Sequence, residues 1–281
     1  MLAPDLVASI DDLEVVARYI VEGLRSGEHR SPFHGFSAEF SQYRPYRPGD
    51  DLKYLDWKVL ARTDRLYTRQ FRETTNFSAM LVIDSSASMA YPDGVSKFAY
   101  ARMIAAALAY LLIQQGDAVG LVGESGGKLV YVPPRGGRPH LRRVLARLAG
   151  LTAAGAFDAP RVAARAAELL RRRGMLLMLS DFYDAEAETL TELKRASRRG
   201  HEAGVLQVLS RAELDFPFSG GHEFVALEGE ATRLADAGAV ARGYRARMAD
   251  FLEWWRTGAL KGGLDYARFI TEEPLDEAPQ Q

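Results

Sequence analysis

The sequence predicts an α/β protein: a mostly parallel sheet covered by helices on both faces, plus an N-terminal helix and β lobe. Three observations predict it. Short apolar runs (Ala79–Ile83, Ala118–Val122, Met175–Leu179 and Gly204–Leu209) alternate with stretches of helical spacing, the pattern of strands buried between helical layers. Two of these runs end in an acidic residue, Asp84 and Asp181, and such sheets place their ligands at the carboxyl ends of strands. Finally, 47% of the 281 residues are hydrophobic, enough to build a real core.

The elements follow in order. Residues 11–25 form a helix, with Asp11 or Asp12 as cap and Leu13, Val16, Ala17, Ile20 and Leu24 on one face. Residues 27–52 are rich in Gly, Pro, Ser and aromatics, and partial alternation from Lys53 to Phe77 predicts strand or hairpin structure. After Asp84 comes a Ser-rich turn, then a helix over about 97–115. The strands at 118–122 and 128–132 are joined as a hairpin by Gly126-Gly127. Arg-rich helices at about 138–149 and 160–173 precede the Met175 strand. A helix at 185–199, the strand at 204–209, a short strand at Phe224–Leu227 and a long helix at about 238–256 with Trp254 and Trp255 complete the set. The tail from Glu272 is acidic and is expected to fray. The expected division is a lobe at 1–76, the α/β domain at 77–232, and a C-terminal helix and tail at 233–281 packing on the core.

Composition narrows the function. Lys and Arg number 36 against 37 Asp and Glu, for a net charge of -1, which argues against a global nucleic-acid binder. With no cysteine, disulfides, Cys-ligated zinc, iron–sulfur clusters and thiol nucleophiles are excluded. The longest apolar run, Met103–Ile113, is eleven residues, short of the roughly 20 a spanning helix needs. The acidic start (Asp5, Asp11, Asp12, Glu14) does not read as a secretory signal. A cytoplasmic protein without membrane insertion is the expectation.

The chemistry concentrates at Asp84-Ser85-Ser86-Ala87-Ser88. The carboxylate of Asp84 and the hydroxyls of Ser86 and Ser88 put three oxygens on one tight turn. A set without nitrogen or sulfur suits a hard cation such as Mg²⁺, and Asp181 can add an oxygen directly or through water. The alternative is that the serines cap a helix and Asp84 is a turn residue.

At this point the sequence resembles a known family. "LVIDSSASM" and "LLMLSDF" resemble the von Willebrand factor type A domain with its metal-ion-dependent adhesion site (MIDAS), a Rossmann-like fold. Tyr46-Arg47-Pro48-Gly49-Asp50-Asp51, Leu55-Asp56-Trp57 and Ala61-Arg62 resemble the bacterial domain of unknown function 58, as do Gly116-Asp117, Ser180-Asp181-Phe182 and "DYARFITEEPL". The resemblance implies a protein-interaction module rather than an enzyme. Asp84, Ser86, Ser88 and Asp181 would surround Mg²⁺, and the partners would be a MoxR-type AAA+ ATPase and a client protein. One departure stands out: the adhesion site takes a Thr from a G-G-T-D-L loop, and Gly155-Ala156-Phe157-Asp158-Ala159 places Phe157 there. An apolar ring beside the Asp84 turn is the expectation, leaving either a weakened metal site or a docking surface without metal.

Two rival readings come from other classes. Gly123-Glu124-Ser125-Gly126-Gly127 satisfies the serine-hydrolase pattern G-x-S-x-G, with Asp181 and His201 or His222 following in order. That motif needs strand, turn, helix, whereas Lys128–Val132 reads as another strand. Residues 135–173 hold ten arginines against Asp158 and Glu168. Such a surface suits phosphates, an acidic protein or plain solvent, and it lacks the aromatic interleaving of single-strand binders; no nucleic acid is expected. No P-loop is present, and the histidines at 29, 34, 140, 201 and 222 match no metalloprotease pattern.

Overall fold

A computed structural model describes residues 12–26, 43–45, 67–69, 77–92, 94–227 and 232–275. The chain divides into two units, one of residues 33–76 and one of residues 1–32 with 77–281. In the smaller unit, β1 (Tyr43–Pro45) pairs antiparallel with β2 (Tyr67–Arg69), Arg44 opposite Thr68. The Lys53–Phe77 alternation thus contains one described strand, β2, whose partner lies upstream. The Tyr46–Asp51, Leu55–Trp57 and Ala61-Arg62 motifs lie outside the described residues.

The larger unit is built on six strands: β3 (Ser78–Ile83), β4 (Ala118–Ser125), β5 (Lys128–Arg135), β6 (Met175–Ser180), β7 (Glu202–Leu209) and β10 (Asp265–Ile270). Their order is β10-β7-β6-β3-β4-β5, all parallel except the antiparallel edge strand β5. From β3 the chain first builds outward through β4 and β5, then crosses back to β6 and continues through β7 and β10. The sheet therefore has its topological switch point between β3 and β6, where open α/β sheets form their crevice.

The pleat of β3 explains both layers. Met80 and Val82 join a core cluster with Val162 and Ala166 of α4 (Ala159–Leu169), Leu190 and Leu193 of α5 (Glu186–Arg198), and Trp255 of α7 (Ala237–Lys261). Side chains alternate along a strand, so Leu81 and Ile83 face the opposite layer. That layer holds α2 (Lys97–Gln114) and α3 (Arg138–Ala149), with α1 (Leu13–Ser26) packed on both. Lying between the sheet and α1, α2 is buried over most of its surface, and its apolar residues accordingly form no narrow stripe. Among the described residues no helix is long and apolar enough to cross a membrane.

The structure redraws several expectations. Helix α1 buries Val16, Ala17, Ile20 and Val21 in the larger unit, so the expected lobe at 1–76 is divided. The boundary at 232/233 falls inside a hairpin of β8 (Gly221–Val225) and β9 (Thr232–Asp236). The C-terminal segment contributes β10 to the sheet itself, and the first residues of the tail are tied down: Glu272 accepts the Arg211 N–H, and Glu273 pairs with the Arg211 guanidinium at 2.6 Å, while residues 276–281 lie outside the described residues. Helix α4 stops at Leu169, leaving Arg171–Arg173 in the turn before β6. Close packing then requires glycine at 174, where a Cβ would lie 2.2 Å from the Ser78 carbonyl oxygen.

Candidate functional site

The site grows directly from the ends of β3 and β6. The Asp84 N–H donates to the Leu179 carbonyl at 2.9 Å, so the ladder runs to the first residue of the turn. There the chain turns away, with the Ser86 N–H donating to Asp84 Oδ1 at 2.8 Å, an Asx turn. The other oxygen, Oδ2, accepts the Ser180 hydroxyl, whose own oxygen accepts the Phe182 N–H at 2.8 Å. A third anchor runs sideways, from the Ser85 hydroxyl to the Glu124 carbonyl at the end of β4, 2.7 Å.

The serines do not cap the long helix. Ser96 caps α2, its hydroxyl accepting the Ala99 N–H, whereas Ser86 precedes a single 3₁₀ turn (Ala87–Ala90) and makes no side-chain cap bond. Its hydroxyl meets that of Ser88 at 3.0 Å, and the Ser88 hydroxyl donates to Asp181 Oδ2 at 2.8 Å. The structure thus brings the four residues singled out by the sequence together at the switch point: Ser86, Ser88 and Asp181 through a chain of oxygens, and Asp84 through the Ser86 N–H.

These are hydrogen-bond separations, and the edge of a Mg²⁺ octahedron has a similar length. Mg²⁺ holds oxygens at 2.0–2.1 Å in an octahedron, so neighbouring ligands lie about 2.9 Å apart. Ser86 Oγ to Ser88 Oγ and Ser88 Oγ to Asp181 Oδ2 bracket that value. Among the described residues no group of three or more His, Asp or Glu side chains gathers as metal ligands. With two carboxylates and the rest hydroxyls, an ion here would retain several waters, as Mg²⁺ does.

Burial sets the electrostatics. Asp84 is 5% exposed and Asp181 is 1% exposed. Burial, then the neighbouring Asp181 charge, pushes the Asp84 carboxyl up to about 7, against the opposing bonds from Ser180 and Ser86. Asp181 has a cation of its own: the Lys97 ammonium, 0% exposed, donates to the same Oδ2 at 2.7 Å and also to Glu213 Oε1. Glu213 is fixed in turn by a capping box with Ser210 at the start of the short helix α6 (Arg211–Asp215).

Sequence reasoning missed Lys97, Glu213 and Ser180. Each left a signal. Lys97 opens a long apolar helix at the end where the macrodipole disfavours a positive charge, Ser210-Arg211-Ala212-Glu213 is a capping-box pattern, and Ser180 ends its strand beside Asp181.

Phe157 follows the loop residues that bond the Asp84 turn. The loop does border the Asp84 turn, but through its backbone: Ala87 N–H donates to the Gly155 carbonyl at 2.8 Å, and Ala154 N–H to the Ser85 carbonyl at 2.9 Å. Phe157 itself is buried, in the core cluster that also holds Met80, Val82, Val122 and Val162, where an apolar ring gains from leaving water. Phe157→Thr should therefore cost roughly 3 kcal/mol of stability without tightening Mg²⁺ binding. Urea melts and calorimetry on the two chains check both halves.

The rivals fare as follows. Ser125 pairs with Lys128 across a two-residue turn in which Gly126 and Gly127 have φ of 57° and 71°, so Ser125 sits in a hairpin with no helix behind it. Of the arginines, Arg161 pairs with Asp158 and Arg165 with Glu168. His140 is buried on the Val119 carbonyl, and His222 bonds the Ser219 carbonyl.

A family model described as protein of unknown function DUF58 matches residues 42–251. The chain belongs to this family. An uncharacterized protein of Mycobacterium tuberculosis is 30% identical over 218 residues, covering 76% of this chain and 68% of the relative. The uncharacterized protein YeaD of Bacillus subtilis is 29% identical over 120 residues, 42% of this chain and 28% of that protein. Solved structures similar to this family member include an aerotolerance-related membrane protein from Bacteroides fragilis, with TM-score 0.48, 16% identity, and coverage of 72% of this chain and 94% of that one. The SpRpn10 VWA domain is similar with TM-score 0.42 and 11% identity, covering 72% and 92%.

Proposed function

We propose that this DUF58 protein is a non-enzymatic protein-interaction module whose binding surface is the carboxyl edge of β3 and β6. The observation that carries the reading is the connected oxygen set of Ser86, Ser88 and Asp181 at the switch point, anchored through Asp84. Ser86, Ser88 and Asp181 would hold Mg²⁺, with Asp84 positioning the turn and contacting the ion directly or through water. The ion supplies a Lewis-acidic position that a carboxylate from a partner can fill. The residues of the chain do the rest: Ser85 and the Ala154–Gly155 backbone fix the turn, and Asp84, Ser86 and Asp181 are buried while Ser88 stands at the half-exposed side.

The partner we propose is a MoxR-type AAA+ ATPase, which would supply the nucleotide hydrolysis for which this chain has no P-loop, in the assembly or maturation of a client protein. The family resemblance supports that partner. The test is capture of the purified MoxR-type ATPase of the same host by the full chain, in Mg²⁺ and in EDTA, with wild type and Asp84→Ala. Binding that falls at least about tenfold with chelator, and equally in the folded variant, is the expected result. Capture indifferent to both would refute the metal-dependent mode.

A further inference from the structure

Lys97 is placed where a helix tolerates it least. It is the first residue of α2, at the positive end of the helix macrodipole, and its side chain is buried on every side. An ammonium in such a place must be compensated by close anions. Those facing it are Asp181 of the β6 edge and Glu213 of α6, with the Tyr183 ring 4.9 Å away as an apolar wall. Burial pulls the ammonium down, yet Asp181 and then Glu213 outweigh it and hold its pKa above the ordinary lysine value. The group is a permanent cation.

The oxygen it occupies matters more than its charge. Asp181 Oδ2 accepts both the Lys97 ammonium at 2.7 Å and the Ser88 hydroxyl at 2.8 Å. It is the same atom that closes the octahedral edge with Ser88. A divalent ion against Ser86, Ser88 and Asp181 would lie within a few ångströms of the ammonium, where like charges in a poorly hydrated site repel strongly.

We infer that Lys97 is a built-in counter-cation that competes with the divalent ion for Asp181 Oδ2 and thereby sets the metal affinity of the site. The inference rests on the cation reading above and adds a residue to it. Without metal, the ammonium neutralises Asp181 and the serine hydroxyls close on one another. With metal, Asp181 turns to the ion, and Glu213 remains as the ammonium's partner. Glu213 is thereby a positioning residue, held by Ser210 so that Lys97 has somewhere to stay.

The test is calorimetric titration of Mn²⁺ into the full chain. Lys97→Met combined with Glu213→Gln removes one positive and one negative charge, so the local charge balance is kept and a gain reports the freed oxygen. The double variant should bind Mn²⁺ at least about tenfold tighter than wild type, with its fold verified by circular dichroism. A folded double variant that binds no tighter, beside a wild type that does bind, overturns the competition and leaves the cation reading standing. No binding by either chain at millimolar Mn²⁺ overturns both. A second measurement needs no variant: in ¹⁵N-lysine-labelled wild type, saturating Mg²⁺ should shift the Lys97 ammonium resonance, and an unmoved resonance counts against the proposal.

Discussion

Asp181→Ala should destabilise the chain by about 3–5 kcal/mol, the cost of breaking a buried ion pair from one side. The substitution strands the Lys97 ammonium, which is 0% exposed and would keep Glu213 alone. It also removes one acceptor of the half-buried Ser88 hydroxyl, which keeps its contact with Ser86. Urea denaturation gives the number directly. The diagnostic comparison is the same change in a Lys97→Met background. There no charge is stranded and the second loss should be much smaller, so the two changes should be non-additive by at least about 1 kcal/mol. Additive losses would mean that Lys97 and Asp181 do not interact in the folded chain, and a single-variant loss under about 1 kcal/mol would mean that the pair contributes little.

The parts of this protein legible in its sequence are those governed by local periodicity and by chain order. Apolar runs between helical stretches predict the strands β3, β6 and β7 within two residues of where they lie, and the helix from Lys97 starts where expected. Asp84 and Asp181 are legible as strand ends, and the parallel topology then places them side by side. Contacts between residues far apart in sequence carry no local pattern. Lys97 and Glu213 are separated by 116 positions, and although each leaves a local signal, nothing in the sequence pairs them until α2 and α6 are packed together. The strand β10 is hard to see in the sequence because Asp265–Ile270 mixes Asp and Arg with Tyr and Phe, as an edge strand half in contact with solvent does. Aligning the Gly155 loop by its glycine locates its backbone neighbours at the Asp84 turn, whereas the burial of Phe157 in the core cluster is a packing contact that no local pattern shows. The close approach of Gly174 to Ser78 is again a contact between distant parts of the chain.

In EDTA, the stability of the chain should fall as pH rises from about 4 to above 7, and Asp84→Asn should remove much of that slope. Asp84 is pushed up from an ordinary 3.8 to about 7 by burial first and by Asp181 second. A carboxyl with a raised folded pKa favours the protonated form in the native state. Between the two values the folded chain holds more protons than the unfolded one, so stability declines with pH. The contribution is fully present below 3.8 and is gone once pH passes through about 7. Integrated over that window the effect is on the order of 4 kcal/mol at 1.36 kcal/mol per pH unit. The amide introduced by Asp84→Asn is neutral throughout and keeps an oxygen to accept the Ser86 N–H, so the variant should match wild type near pH 4 and exceed it at pH 8. Taking the difference between the two chains removes the other groups that titrate in this range, including Glu186 and Glu202, both raised by burial, and His201, lowered by it. Urea midpoints measured at intervals from pH 4 to 8 decide it. Curves that run parallel across the range would mean that Asp84 is ionised in the fold as readily as in water, and that Lys97 and the surrounding donors shield it from Asp181 completely.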